Sequence, residues 1–368
     1  VDMVQYANHR SDVNYILGMM IGELGTGHAY VSTPGDAGTL PRTGIGNLCA
    51  DLEVKNGGIV FKKIVRGFND KEAVTTPLGV PGINVNEGDY LVAIDGQTVD
   101  STVNPNKFLL GKVGKYVTLM VNNKPGMEGA RKVRVKPVST DVMVRYEEFI
   151  ENNRKLVAKL SNGRIGYMHI QNTAAEGSSD FVRGFYSQVD KEAMIVDERW
   201  NGGGYIQPWF VDTLSRKLKS MITPRNGNDQ ADSPTFEGPA VMLVNGYAGS
   251  GGDYFPYLFR QAKRGQLMGK RTWGGLVGID GGYTLVDGGS LSCPTFAIYN
   301  PETNEIIAEN TGVDPDIDVD NRPDLVAKGL DPQLEAAVKH LMAQIGDKPP
   351  VKKAKNKVKV GRNGKINP

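Results

Sequence analysis

Apolar residues change their spacing three times along this chain, and each change predicts a different kind of structure. Val13, Ile16, Leu17, Met20, Ile21 and Leu24 follow the i, i+3, i+4, i+7 rule, which predicts an amphipathic helix over 12–24. Asp12 is the expected cap and Gly25 the expected stop. Between 42 and 140 the helical period disappears. Short β-branched runs (Gly58–Val65, Tyr90–Ile94, Tyr116–Val121, Lys132–Val138) alternate with turns rich in Gly, Pro and Asn, the pattern of a small β-rich unit. Residues 141–160 return to a helical pattern and connect the modules.

From 161 onward strands and helices alternate. RIGYMHI, AMIVDERW, AVMLVN and QLMGKRT read as strands, with helices expected near 175–190, near 207–220 and after 250. This order predicts an α/β layer in which helices cover a central sheet. Residues 283–319 read as β-hairpins, and Leu334, Val338, Leu341 and Ile345 mark a last helix over 331–345.

Composition narrows the class. The 368 residues are 39% hydrophobic and 23% charged, ordinary for a globular protein, and no apolar run approaches the length of a membrane span. Two cysteines, Cys49 and Cys293, allow one disulfide and no framework. The four histidines lie far apart and no HExxH or CxxC occurs, which argues against a metal site. The net charge of +2 hides a division. Residues 348–368 hold seven Lys, Arg362 and no acid, giving +8, while the rest carries −6. The tail lacks interleaved aromatics and the body is acidic, so no nucleic-acid partner is expected, and without a long apolar run no membrane is expected either. The tail reads as a flexible extension.

Four segments carry candidate chemistry. In VMLVNGYAGSGG a strand runs into a small-residue turn holding Ser250, and a helix follows. A serine there has unpaired N–H groups and the positive end of a helix dipole beside it, which suits a nucleophile; a plain helix cap fits the segment equally. In VDERWNGGG a strand ends in three glycines whose N–H groups are able to face a cleft. In GTGHAY, His28 follows a predicted helix and is the best-placed general base; His169 reads as a core residue, His340 lies in the last helix and His9 near the chain start. In IIAENTGVDPDIDV, Glu309 stands at a strand end, a place for an orienting carboxylate or for a solvated turn residue.

Two resemblances join these pieces. VNEGDYLVAIDGQTV, residues 85–99, resembles the central segment of a PDZ domain, which implies peptide binding by strand addition. Its carboxylate loop would fall at Thr43, Gly44, Ile45 and Gly46. The ordered set GELGTGHAYVS, the PDZ-like insert, VDERWNGGG, NGYAGSGGDYFPYLF, GKRTWGG and ENTGVDPDIDV resembles the tricorn branch of the C-terminal-processing peptidases. The fold implied is α/β: a helical lead-in (1–41) carrying the base, an inserted PDZ-like β-rich domain (42–140), an α/β serine peptidase core (141–347) and a basic tail (348–368).

The resemblance implies a cofactor-free serine endopeptidase acting on oligopeptides or unfolded polypeptide. Carried over by position, Ser250 is the nucleophile, His28 the base and Glu309 the acidic residue, with Gly251 and Gly203 (or Gly202) as oxyanion donors. The Ser–Lys dyad of the other branch has no counterpart, because Gly275 stands where its Lys would be and Lys270 precedes the turn. One departure is Gly27, where the tricorn pattern has a serine linking acid to imidazole. This predicts reduced activity, or a peptide-binding protein whose site has decayed. The acidic residues Asp229 and Asp232 would favour basic side chains in a substrate. The resemblance further implies a homo-oligomer, β-propeller domains ahead of this region and a cytoplasmic location; a removed leader would place the protein in a periplasm.

Overall fold

The computed structural model describes residues 2–32, 41–67, 76–224 and 229–347, with backbone alone at 359–360 and 366–367. The predicted flexible tail, 348–368, lies outside the described residues apart from that backbone, where Lys359–Val360 pairs antiparallel with Ile366–Asn367. Contacts divide the chain into one unit of Val1–Gly38 with Asn153–Pro368 and a second of Thr39–Asn152.

The first helix, α1, spans Arg10–Gly22 and differs from its expected form. Its cap is His9, and Asp12 instead sits at the third helical position, accepting the His9 N–H at 3.0 Å in a capping box. Leu24 falls beyond the helix and is 71% exposed, so the periodic pattern overran the element by two residues. A short strand, β1 (Tyr30–Ser32), follows.

The second unit is a β-sheet of β2 (Ala50–Lys55), β3 (Gly58–Ile64), β4 (Tyr90–Ile94), β5 (Gln97–Thr98), β6 (Val117–Asn122) and β7 (Arg131–Val135). The order is β2-β3-β4-β6-β7, with β5 returning onto β4. β4 is buried on both faces, and so is β3 from Ile59 to Phe61. Ile59, Phe61, Leu91 and Ile94 join the main core with Leu119 and Val133, whereas Val60, Tyr90 and Val92 form a smaller cluster with Met120. Alternation thus serves two cores rather than one core and solvent.

The helix α2 (Val142–Leu160) crosses the division at Asn152, and the first unit continues with β8 (Ile165–His169), α3 (Ala175–Tyr186), β9 (Ala193–Asp197) and α4 (Gln207–Leu214). A two-residue pair, β10 (Met221–Ile222) and β11 (Gln230–Ala231), precedes β12 (Ala240–Val244), α5 (Gly251–Gln261) and β13 (Gly265–Gly269). The hairpin β14 (Gly282–Thr284) and β15 (Ser290–Ser292), then β16 (Ile317–Asp318), α6 (Pro323–Val326) and α7 (Pro332–Ile345), complete it. The expected hairpin region is therefore only partly hairpin, because β16 joins the main sheet in parallel.

That main sheet has the order β16-β13-β12-β9-β8 and is parallel throughout. Its strands β8, β9 and β12 are buried on both faces, which is why they read as continuous apolar runs. The stack Phe181, Phe185, Phe210, Phe255 and Phe259, from α3, α4 and α5, packs against them in one core. β1 pairs with β15, so the lead-in that carries His28 is hydrogen-bonded to the same unit as Ser250.

Candidate active site

The site forms where β12 gives way to α5. Ser250 caps α5 with φ 56° and ψ −116°, a left-handed backbone that a non-glycine residue adopts only under strain. Its neighbours must be small. A Cβ added at Gly249 would stand 2.6 Å from the Trp273 ring, and one at Gly251 would stand 2.2 Å from Thr173 Oγ1. The Gly-Ser-Gly-Gly run is thus a steric requirement of this elbow, since only glycine allows such close approach.

The strand–glycine segment after β9 meets the elbow from the other side. A Cβ at Gly203 would lie 2.8 Å from Ser250 Cβ and 3.0 Å from Gly251 N, so the two glycines expected as oxyanion donors do stand together. Their N–H groups differ. That of Gly251, at the first turn of α5, has no partner among the described residues. That of Gly203 donates to Asn201 Oδ1 at 2.9 Å, and that of Gly202 to Gln171 O at 2.9 Å. Neither serves an oxyanion in this structure unless its acceptor lets go.

His28 reaches the elbow through an aromatic contact. The Trp273 N–H donates to Ala248 O at 2.8 Å, which lays the indole over Gly249. The imidazole of His28 stands edge-on to the same indole, centroids 5.7 Å apart, and Tyr30 flanks it at 6.4 Å. His28 also has a left-handed backbone, φ 59°, and its C=O accepts the Ser292 hydroxyl at 2.9 Å. Its Nδ1 is buried and has no hydrogen-bond partner among the described residues.

Glu309 is fixed by backbone donors. Oε2 accepts the N–H groups of Leu276 (2.7 Å) and Val277 (2.9 Å), and Oε1 accepts that of Gly27 (2.7 Å). The acid therefore docks on the residue before His28 without any side-chain intermediary. Asn310 strengthens this docking by donating to Gly25 O at 2.7 Å.

Several groups at the site escaped the sequence reading. Asp253, fully buried, accepts the Ser250 N–H at 2.9 Å. The spacing Ser250-x-x-Asp253 is a capping-box signature and was available to find it. Burial raises the Asp253 carboxyl above its ordinary value, while hydrogen bonds from Thr272, Gly274, Gly275 and Ser250 pull it back down. Behind the glycine segment, Glu198 is wholly buried with neither oxygen bonded, and burial pushes its carboxyl well above the ordinary carboxylate range, helped by Asp253 and Asp197.

Arg199 anchors the same segment. It donates to Asp197 (2.9 and 2.7 Å), to Asp331 at the cap of α7 (2.9 and 2.8 Å) and to Gln333 (3.0 Å). Burial alone would raise Asp197, but the Arg199 guanidinium holds it below the usual carboxylate range. His169 lies in this network, its ring nitrogen 3.0 Å from Arg199 O, and is buried as expected of a core residue.

The remaining expected site residues lie elsewhere. Gly46 N–H donates to Leu109 O (2.8 Å), Gly44 O accepts Gly111 N–H (2.7 Å), and Ile45 bridges to Leu110. Of the N–H groups in Thr43–Gly46, that of Gly46 is thereby taken by strand-like pairing. Asp229 and Asp232 are exposed, and Asp232 accepts the Ser220 hydroxyl beside the β10–β11 pair. Cys49 and Cys293 are both free. No helix of the described residues is long and apolar enough to cross a membrane.

Comparison with known proteins agrees with this architecture. Residues 164–319 match the model of peptidase family S41, and residues 46–140 match that of the tricorn protease PDZ domain. The chain belongs to the tricorn branch of the S41 peptidases. It is 35% identical over 332 residues to tricorn protease homolog 1 of Streptomyces coelicolor, covering 89% of this chain and 31% of that one. It is 31% identical over 344 residues to the tricorn protease of Thermoplasma volcanium, covering 93% and 33%. A crystal structure of the tricorn protease superposes with a TM-score of 0.85 at 30% identity, over 93% of this chain and 33% of that chain. This tricorn-type chain thus spans about a third of the length of these relatives.

Proposed function

We propose that this chain is a serine endopeptidase that cleaves oligopeptides or unfolded polypeptide through an acyl-enzyme. The observation that carries the reading is the convergence on one indole: Trp273 covers Gly249, beside Ser250, and meets the His28 imidazole, while Glu309 grips the residue before His28. In the first step His28 takes the proton of Ser250 Oγ as that oxygen attacks the peptide carbonyl. The unpaired Gly251 N–H receives the developing oxyanion, and Gly203 adds a second donor once Asn201 releases it. His28 then protonates the leaving amine, and afterwards activates the water that hydrolyses the ester.

The direct Glu309–Gly27 contact holds the loop that carries His28 but leaves Nδ1 without an acceptor, so we expect slow turnover. The same observation favours a second reading, a peptide-binding protein without catalysis. We further propose peptide substrates delivered within a larger assembly that includes propeller domains and further copies of the chain, in the cytoplasm. Cleavage of a peptide library tests the reading: products that disappear in Ser250→Ala and in His28→Ala support it. Cleavage that survives both substitutions rejects it, and tight peptide binding without any product selects the second reading.

A further inference from the structure

We infer that Asp253 is a positioning residue that sets the approach of Ser250 to His28, an inference that rests on the serine-peptidase reading above. Its carboxylate accepts four hydrogen bonds: Ser250 N–H (2.9 Å) and Gly275 N–H (3.1 Å) at Oδ2, Gly274 N–H (2.8 Å) and the Thr272 hydroxyl at Oδ1. Glu309 takes the next two N–H groups of the same loop, Leu276 and Val277, and reaches Gly27 with its other oxygen. Four successive N–H groups, 274 to 277, are therefore divided between two carboxylates. One is bound to the nucleophile's own N–H, and the other to the residue before the base.

The loop acts as a strap between them, and its slack is small. Gly274 has φ +91°, and a Cβ there would stand 2.7 Å from Gly312 N. A Cβ at Gly275 would stand 2.3 Å from the Trp273 ring. The Thr272 hydroxyl already accepts the Val313 N–H at 2.9 Å, so its proton is directed to Asp253. All four partners of Asp253 are thus donors, and an amide in its place would set an N–H against at least one of them.

Asp253→Asn is the test, read with Ser250→Ala and His28→Ala. The substitution shifts the strap and is expected to lower kcat, and the rate of fluorophosphonate labelling of Ser250, by about 100-fold, the scale of a small misplacement of reacting groups. KM stays within about twofold of wild type, because substrate contacts are untouched. In the His28→Ala background the same change costs less than about threefold, since the base being positioned is gone. Should Asp253→Asn fail to fold, Thr272→Val carries the test: a loss of about tenfold in kcat is expected, with Thr272→Ser restoring it. Unchanged kcat in Asp253→Asn, a full additional loss in the His28→Ala background, or a Thr272→Val enzyme equal to wild type would overturn the inference. Those results leave the peptidase reading standing. Hydrolysis undiminished in Ser250→Ala removes that reading, and this inference with it.

Discussion

Glu309 accepts the backbone N–H of Gly27 at 2.7 Å, and a Cβ added at Gly27 would stand 2.9 Å from the same Oε1. A serine side chain at 27 would therefore place its hydroxyl beside the carboxylate after only a small shift of the Glu309 head group. Its added role is to give His28 Nδ1 the acceptor that it lacks. We expect Gly27→Ser to raise kcat by about tenfold, a modest part of the 10⁴ that base orientation is able to supply. Gly27→Ala, which displaces the carboxylate without adding an acceptor, should lower it. Steady-state kinetics of the two variants beside wild type decide the matter; equal rates would show that the missing hydroxyl is irrelevant.

Trp273 is 50% exposed, unusual for an indole held so close to backbone on both sides. The His28 imidazole meets this ring edge-on, with centroids 5.7 Å apart. Trp273→Ala is expected to reduce kcat/KM by about tenfold, equivalent to about 1.4 kcal/mol of transition-state stabilisation. Trp273→Phe should retain most of the activity, because a smaller ring keeps an edge contact. The contact is without consequence if the alanine enzyme keeps wild-type kinetics.

Glu198 makes a pH-dependent claim. Its carboxyl is raised in the fold chiefly by burial, and then by Asp253 and Asp197. In the unfolded chain it ionises near 4.5, whereas in the fold it keeps its proton to much higher pH. The unfolded state thus binds fewer protons over that window, so stability falls as pH rises from about 4.5 toward the folded value. Glu198→Gln removes this dependence and preserves the shape. Its Tm relative to wild type should increase between pH 5 and pH 8; a difference that is constant with pH contradicts the assignment.

Arg199 is fully buried between Asp197 and Asp331, and its two carboxylate partners lose their counter-charge together if it is replaced. Arg199→Met is expected to destabilise the fold by about 3–5 kcal/mol, the usual result of leaving buried charge uncompensated. Urea denaturation measures it. Because Arg199 also links β9 to the cap of α7, a loss below about 1 kcal/mol would mean the network is dispensable.

The parallel core was legible because its strands are apolar on both faces, and the elbow because glycines crowd Ser250. The length of α1 was not. Leu24 continues the helical spacing, yet the chain turns after Gly22 and leaves it exposed, so period alone did not locate the stop. Glu309 stood out in its own segment only as an orienting carboxylate or a solvated turn residue, since its contact with Gly27 spans 282 residues and no local pattern encodes it. Occupancy of backbone donors was legible only where the acceptor is local. The Asn201 side chain takes the N–H two residues on, at Gly203, a contact that an Asn in NGGG signals. Nothing in RTGIG indicates that Gly46 is paired with Leu109, because that acceptor is distant in the sequence.

The central claim is that Ser250 is a nucleophile activated by His28. Intact-mass and peptide-level analysis after treatment with a fluorophosphonate tests it most directly. One adduct is expected, on Ser250, absent in Ser250→Ala and formed at least about 100-fold more slowly in His28→Ala. An adduct on another residue, or a labelling rate indifferent to His28, would contradict it.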